Sequence, residues 1–318
     1  MISLSARIER WPVAGAFIIA RGAKTHVDVV VVEAREGAHF GRGEGTPIYY
    51  KGETAALCCA QIEALPTGLD RTTLQAALPH GAARNAVDCA LWDLAAQQAG
   101  MPVWRLAGLP PPQPLVTAYT ISLADPAKME ADARARAHLP LLKLKLAGDG
   151  DHDRVAAVRR GAPHARLIVD ANEAWTDRDV GAEAAALAAH GVEMIEQPVK
   201  AGADHLLDGV ISPIPLVADE SCQDRADLPR LKGRYTGINI KLDKAGGLTE
   251  GLALAAEARA LGFDVMIGCM LSTSLGIAPA FLLGAGARWV DLDGSLLLAK
   301  DREARFALKD GLLQLPDK

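Results

Sequence analysis

From residue 116 onward the chain repeats one pattern: a short, continuous apolar run, then a stretch with helical spacing. The runs are VTAYTISL, LLKLKL, RLIVD, GVEMIEQP, IPLVADE, TGINIKL, FDVMIGC and RWVDLDG. Between most of them lie alanine-rich stretches such as PAKMEADARARAH and GLTEGLALAAEARALG. Apolar runs that do not alternate with polar residues read as strands buried on both faces, as in a parallel sheet covered by helices. Eight candidates in succession predict a closed (β/α) barrel rather than an open doubly wound sheet. No Gly-x-Gly-x-x-Gly follows the first strand, which weakens the dinucleotide-binding alternative.

The first 110 residues read as mixed strand and helix. THVDVVVVEAR, centred on Val27 to Glu33, predicts a buried strand. Gly41, Gly43 and Gly45 predict a turn-rich stretch after it. Val87, Ala90, Leu91, Leu94 and Ala95 then recur at helical spacing, and Gly100 and Pro102 supply the stop. LPPPQP, residues 109–114, reads as a connector and places a domain boundary. The division expected is residues 1–110 as an α+β domain, 111–300 as the barrel, and 301–318 as a segment outside the repeat, packing back on the N-terminal domain.

Composition narrows the class. Half of the 318 residues are hydrophobic, enough for a full core, and the net charge is -5 with no basic cluster. Nucleic acid and anionic membranes are therefore not expected partners. The five cysteines are odd in number and show no Cys-x-x-Cys spacing, so a reducing compartment without disulfides is expected. MISLSARIERWPV lacks the apolar core of a signal peptide, and no apolar run is long enough to span a bilayer. The expected location is the cytoplasm.

Active-site groups of such barrels sit at the C-terminal ends of the strands. The second run ends in Lys143 and Lys145, the third in Asp170 followed by Asn172, and the fourth in Glu196. The fifth ends in Asp219 and Glu220, the sixth in Lys241, and the eighth in Asp291 and Asp293. A charge at one strand end is ordinarily a solvated loop residue. Here charges recur once per unit after runs that would be buried. Three carboxylates converging at one mouth repel unless a cation joins them, and oxygen-only ligands favour Mg²⁺ or Mn²⁺. The bland alternative is a salt-bridge ring that stabilises the barrel. Lys143 and Lys145, two apart on a strand, point the same way, and Lys241 lies four strands across. Two bases on opposite faces of one carbon permit inversion of its configuration, with a metal stabilising the enediolate between the two proton transfers.

KLK at 143–145, VDAN at 169–172, IEQP at 195–198, ADES at 218–221 and INIKLDKAGG at 238–247 resemble the enolase superfamily, in the lysine-and-lysine arrangement of its muconate-lactonising subgroup. The resemblance spans essentially the whole chain. It implies a modified (β/α)₇β barrel with an N-terminal α+β capping domain, and an active site where they meet. It further implies one Mg²⁺ on Asp170, Glu196 and Asp219, acid/base roles for Lys145 and Lys241, and contact between Lys143 and a substrate carboxylate.

VDLDG at 290–294 resembles the Asp-x-Asp that holds the substrate ammonium in dipeptide epimerases. Paired carboxylates on one strand face suit a cationic ligand. GCMLSTS at 268–274 is similar to epimerases acting on L-Ala-D/L-Glu, which implies backbone contacts from Cys269 and Leu271 and a further contact from Thr120. A substrate glutamate side chain would need a cation from the cap, for which IARGAK offers Arg21 or Lys24. The expected activity is thus epimerisation of a dipeptide, L-Ala-D/L-Glu first, in the reuse of cell-wall peptides, with a homo-oligomer possible. A cycloisomerase, an o-succinylbenzoate synthase or an N-acylamino-acid racemase is the alternative, which leaves Asp291 and Asp293 unpaired. A non-catalytic ligand-binding barrel is a third reading, which leaves two bases without a use.

Overall fold

The computed structural model describes residues 1–19 and 22–315. It opens with an antiparallel sheet, β1 (Ser3–Ile19), β2 (Gly22–Glu36) and β3 (His39–Gly45). The helices α1 (Ala55–Glu63), α2 (Arg71–Ala77) and α3 (Ala82–Ala99) follow. The valine run of β2 is continuous because both faces of the strand are covered. Val30, Val32 and Ala34 pack with α1–α3, while Val27, Val29 and Val31 pack with Leu271 and Leu298 from the barrel side.

Gly41, Gly43 and Gly45, expected in a turn-rich stretch, instead lie within β3 and alternate along it. A Cβ built on Gly43 would stand 2.1 Å from the Ala86 carbonyl oxygen, and one on Gly45 would stand 2.2 Å from that of Ala82. On Gly41 it would stand 2.1 Å from the Leu94 amide nitrogen. Two strand residues advance about 6.8 Å and four helix residues about 6 Å, so every second strand position meets one turn of α3. The missing side chains let helix and strand backbones touch; they do not make a turn. Gly43→Ala is expected to destabilise the protein by about 3 kcal/mol, because the clash is with backbone that cannot rotate away. A lower urea midpoint would register it, and an unchanged one would show that α3 can lift off β3.

The barrel consists of parallel strands in sequential order: β5 (Tyr119–Ile121), β6 (Leu141–Lys145), β7 (Arg166–Asp170), β8 (Val192–Glu196), β9 (Leu216–Ala218), β10 (Gly237–Ile240), β11 (Asp264–Gly268) and β12 (Trp289–Asp291). The Ala118 amide donates to the Val290 carbonyl at 2.8 Å and brings the two ends of the sheet together. Alternation along each strand sorts its residues. Leu142, Leu144, Leu167, Val169, Ile195, Ile238 and Ile240 join the core under the helices. Ala118, Leu141, Ile168, Met194, Val217, Met266 and Trp289 fill the barrel interior as an apolar plug. Two residues further along the same strands stand Thr120, Lys143, Asp170, Glu196, Asp219, Gly268 and Asp291. The strand period of two thus sets a polar layer directly on the apolar one.

The chain ends in a hairpin, β13 (Ala307–Lys309) and β14 (Leu312–Gln314), and β14 pairs with β4 (Leu115–Val116) just before the barrel. Ahead of the hairpin, Arg302 reaches the cap, pairing with Glu9 at 2.8 Å and Glu44 at 2.7 Å. All five cysteines are free. No helix among the described residues is long and apolar enough to cross a membrane.

Candidate active site

The polar layer opens into a pocket between cap and barrel. Its barrel wall includes Thr120, Lys143, Lys145, Asn172, Asp219, Lys241, Cys269, Leu271, Asp291 and Asp293, and its cap wall includes Phe17, Lys24, Thr46, Tyr49 and Tyr50. Asp170 and Glu196 are fully buried beside it and reach its lysines by ion pairs. Of the residues singled out in the sequence, only Arg21 lies outside the described residues.

Three buried carboxylates end three adjacent strands, and each carries an ammonium. Lys145 Nζ lies 2.6 Å from Asp170 Oδ2, and Lys241 Nζ 2.7 Å from Asp219 Oδ2. Lys143 Nζ sits between, 2.5 Å from Glu196 Oε2, 3.5 Å from Asp170 Oδ2 and 2.6 Å from Asp291 Oδ2. Asn239 Nδ2 donates to Glu196 Oε1 at 2.7 Å. Gly268 makes room for that side chain, since a Cβ there would stand 2.6 Å from Asn239 Oδ1.

The electrostatics follow from burial set against charge. Burial lifts Asp170, but Lys145 and Lys143 outweigh it and hold the carboxyl down at about 2. Burial also lifts Asp219, and Lys241 and Lys244 bring it well below the usual carboxylate range. Glu196 ends above its ordinary value, because burial and the neighbouring Asp170 outweigh Lys143. Burial depresses Lys143 and Lys241, yet the carboxylates around them hold both well above the ordinary lysine value.

Among the described residues no three His, Cys, Asp or Glu side chains stand ready as a metal cage. The donor set nevertheless suits a hard cation. It is all oxygen, it ends three adjacent strands, and lysine ammonium groups already supply it with positive charge.

At the eighth strand, the Thr120 amide donates to Asp293 Oδ2 at 2.7 Å. Asp291 Oδ1 is buried without a hydrogen-bond partner among the described residues. Burial, and then Asp291 beside it, push Asp293 up to about 7. This end of the pocket has a surplus of negative charge. The Leu271 carbonyl accepts the Thr46 hydroxyl at 3.0 Å, and Cys269 Sγ points to the Asp291 carbonyl at 3.3 Å. Lys24 Nζ stands 4.1 Å from the centre of the Tyr49 ring, at the cap side of the pocket.

Strand-end reading missed Lys244, which is fully buried. Its Nζ donates to Asp219 Oδ1 at 2.7 Å and to the carbonyls of Asp219, Cys222 and Asn239 at 2.5, 2.8 and 3.0 Å. The one available signal was a lysine one helical turn beyond Lys241 in an otherwise apolar and glycine-rich run. Glu44 and Thr46 were also missed, because the glycines around them read as a turn.

The fold and site define a barrel whose mouth sets two buried lysines at opposite ends of a row of three buried carboxylates. Residues 1–108 match the mandelate racemase/muconate lactonizing enzyme N-terminal domain, and residues 127–318 match the enolase C-terminal domain-like family. The chain belongs to the enolase superfamily, and it is an isomerase. It is 46% identical over 313 residues to the L-Ala-D/L-Glu epimerase of Escherichia coli (strain K12), covering 96% of this chain and 98% of that one. It is 43% identical to an N-acetyl-D-glutamate racemase of a Pseudoalteromonas species, covering 89% and 91%. A solved enolase-family member from Agrobacterium tumefaciens, with homology to dipeptide epimerases and bound to sodium and L-Ala-L-Glu, superposes with a TM-score of 0.96. The two are 47% identical, over 100% of this chain and 98% of that one.

Proposed function

We propose that the protein is a Mg²⁺-dependent L-Ala-D/L-Glu epimerase that inverts the glutamate α-carbon with Lys145 and Lys241 as its two acid/base groups. The carrying observation is the placement of these lysines at the two ends of one carboxylate row, against Asp170 and Asp219. A carbon held over the middle of that row meets one amine from each side. Asp170, Glu196 and Asp219 would hold the Mg²⁺, which would supply positive charge against the substrate carboxylate. Lys143, held protonated by its neighbours, binds the same substrate carboxylate. One of the two lysines, as the neutral amine, removes the α-proton, and the other, as the ammonium, returns one to the opposite face.

Asp291 and Asp293 support a substrate with an ammonium group one residue from the reacting carbon. An ammonium there would satisfy Asp291 Oδ1 and favour the ionised form of Asp293. Lys24, which lines the cap side of the pocket, supports a contact with the glutamate side chain. We assign the activity to the reuse of cell-wall peptides in the cytoplasm. N-acetylglutamate is the second reading, favoured by the 43% identical racemase. It keeps the amide and the glutamate of L-Ala-Glu and lacks the ammonium.

Incubation of L-Ala-L-Glu with the protein and Mg²⁺ in D₂O is expected to place deuterium on the glutamate α-carbon and to form L-Ala-D-Glu. Chelation of the metal with EDTA should abolish both, and added Mg²⁺ should restore them. Exchange without epimerisation would sink the two-base mechanism, and absence of exchange with any dipeptide would sink the substrate assignment.

A further inference from the structure

We infer that Thr46 is a positioning residue through which the cap fixes two loops of the site at once. The inference rests on the reading of Lys241 as an acid/base group and of residues 269–271 as a substrate wall. Thr46 follows the last residue of β3 and lines the pocket. Its two polar groups point to different loops. The backbone amide donates to Asp243 Oδ1 at 2.8 Å, and Asp243 lies two residues beyond Lys241. The same carboxylate oxygen accepts Asn85 Nδ2 from α3 at 2.8 Å. The Thr46 hydroxyl donates to the Leu271 carbonyl at 3.0 Å and lies 2.9 Å from Ser272 Oγ.

Thr46, Asn85, Asp243 and Ser272 are all buried, so bulk water does not compete for these bonds. Glu44, two residues earlier on β3, strengthens the grip by accepting the Thr273 amide at 2.7 Å. The end of one cap strand thus holds three consecutive residues of the substrate loop, 271 to 273, and the turn that carries Lys241. A site residue is only as well placed as the bonds behind it. The two attachments leave Thr46 by different atoms, which makes them separable. The hydroxyl sets the wall that receives substrate. The amide, through Asp243, sets the backbone of the acid/base lysine.

Steady-state kinetics of L-Ala-L-Glu epimerisation with Mg²⁺ test this. Thr46→Val keeps the shape and the amide but loses the hydroxyl. It is expected to raise KM about fivefold to tenfold with kcat within about twofold of wild type. Thr46→Ser should restore KM. Asp243→Ala is expected to lower kcat about tenfold with KM held, and Asp243→Asn, which keeps the acceptor, should recover most of it. Should Thr46→Val fail to fold, Ser272→Ala removes one of the same hydroxyl contacts from the loop side and must raise KM. If kcat and KM move together in both variants, or neither moves, the inference is overturned while the functional reading stands. A wild-type protein that turns over no dipeptide overturns both.

Discussion

Lys241→Ala is expected to exchange the α-proton of one glutamate epimer with D₂O while epimerising neither, and Lys145→Ala is expected to do the same with the other epimer. The structure places the two amines on β6 and just past β10, four strands apart, with the carboxylates of β7, β8 and β9 between them. A substrate carbon held over that row would present its hydrogen to one lysine in the L form and to the other in the D form. Removing one amine deletes proton delivery on one face and leaves abstraction on the other intact. Loss of a positioned acid or base costs about a thousandfold in rate. Each variant should therefore lose epimerisation to about that extent, and NMR in D₂O should show exchange confined to one epimer. Neither lysine is needed to complete an apolar core, so circular dichroism should be unchanged. A variant that still interconverts the epimers would show that one lysine serves both faces.

Asp291→Asn should separate the dipeptide from its N-acetyl counterpart. Asparagine keeps the shape and an oxygen acceptor for Lys143, which sits 2.6 Å from Asp291 Oδ2, and it removes the charge expected to meet a substrate ammonium. A hydrogen bond to a charged partner contributes about 1.5–3 kcal/mol, so kcat/KM for L-Ala-L-Glu should fall about a hundredfold. The inhibition constant of N-acetyl-L-glutamate, which has no ammonium, should hold or improve. Equal losses for both ligands would remove the aspartate pair from substrate recognition. The pair also sets a pH dependence. Asp293 is pushed up to about 7, so it is largely protonated below that value and charged above it. Dipeptide capture, read as kcat/KM, should rise as pH increases through about 7, whereas N-acetylglutamate binding should gain nothing from this ionisation.

Much of the site could be read from the chain because a strand repeats every two residues. An apolar plug residue is followed two places later by a polar one, as in Leu141–Lys143–Lys145, Ile168–Asp170 and Trp289–Asp291–Asp293. Six of the eight buried runs therefore ended in a charged group that faces the barrel mouth. The eight strands were legible for the same reason, since both of their faces are covered and nothing interrupts the runs. The partners were not legible. Lys143 meets Asp291 across 148 positions, and pairing at that separation is set by barrel closure rather than by local pattern. Strand β3 was hidden because glycine signals equally a turn or a close backbone approach, and only the facing helix decides between them. Its misreading concealed Glu44 and Thr46, whose partners Thr273 and Asp243 lie 229 and 197 residues downstream. Lys244 sits past its strand on a short helix, where the two-residue period no longer applies.

The order of synthesis gives residues 302–314 a timing role. The cap leaves the ribosome before the barrel, with β3 already able to lie against α3, and the barrel strands follow in spatial order. Two early pieces must wait. Among the described residues strand β4, at residues 115–116, pairs only with β14, which is made after the barrel strands. Glu9 and Glu44 on the cap receive their guanidinium partner only when Arg302 emerges. Until then Glu44 is a carboxylate bound for burial with no cation beside it, which disfavours seating the cap on the barrel. Residues 302–314, made after both the cap and the barrel strands, therefore act as the latch that joins them.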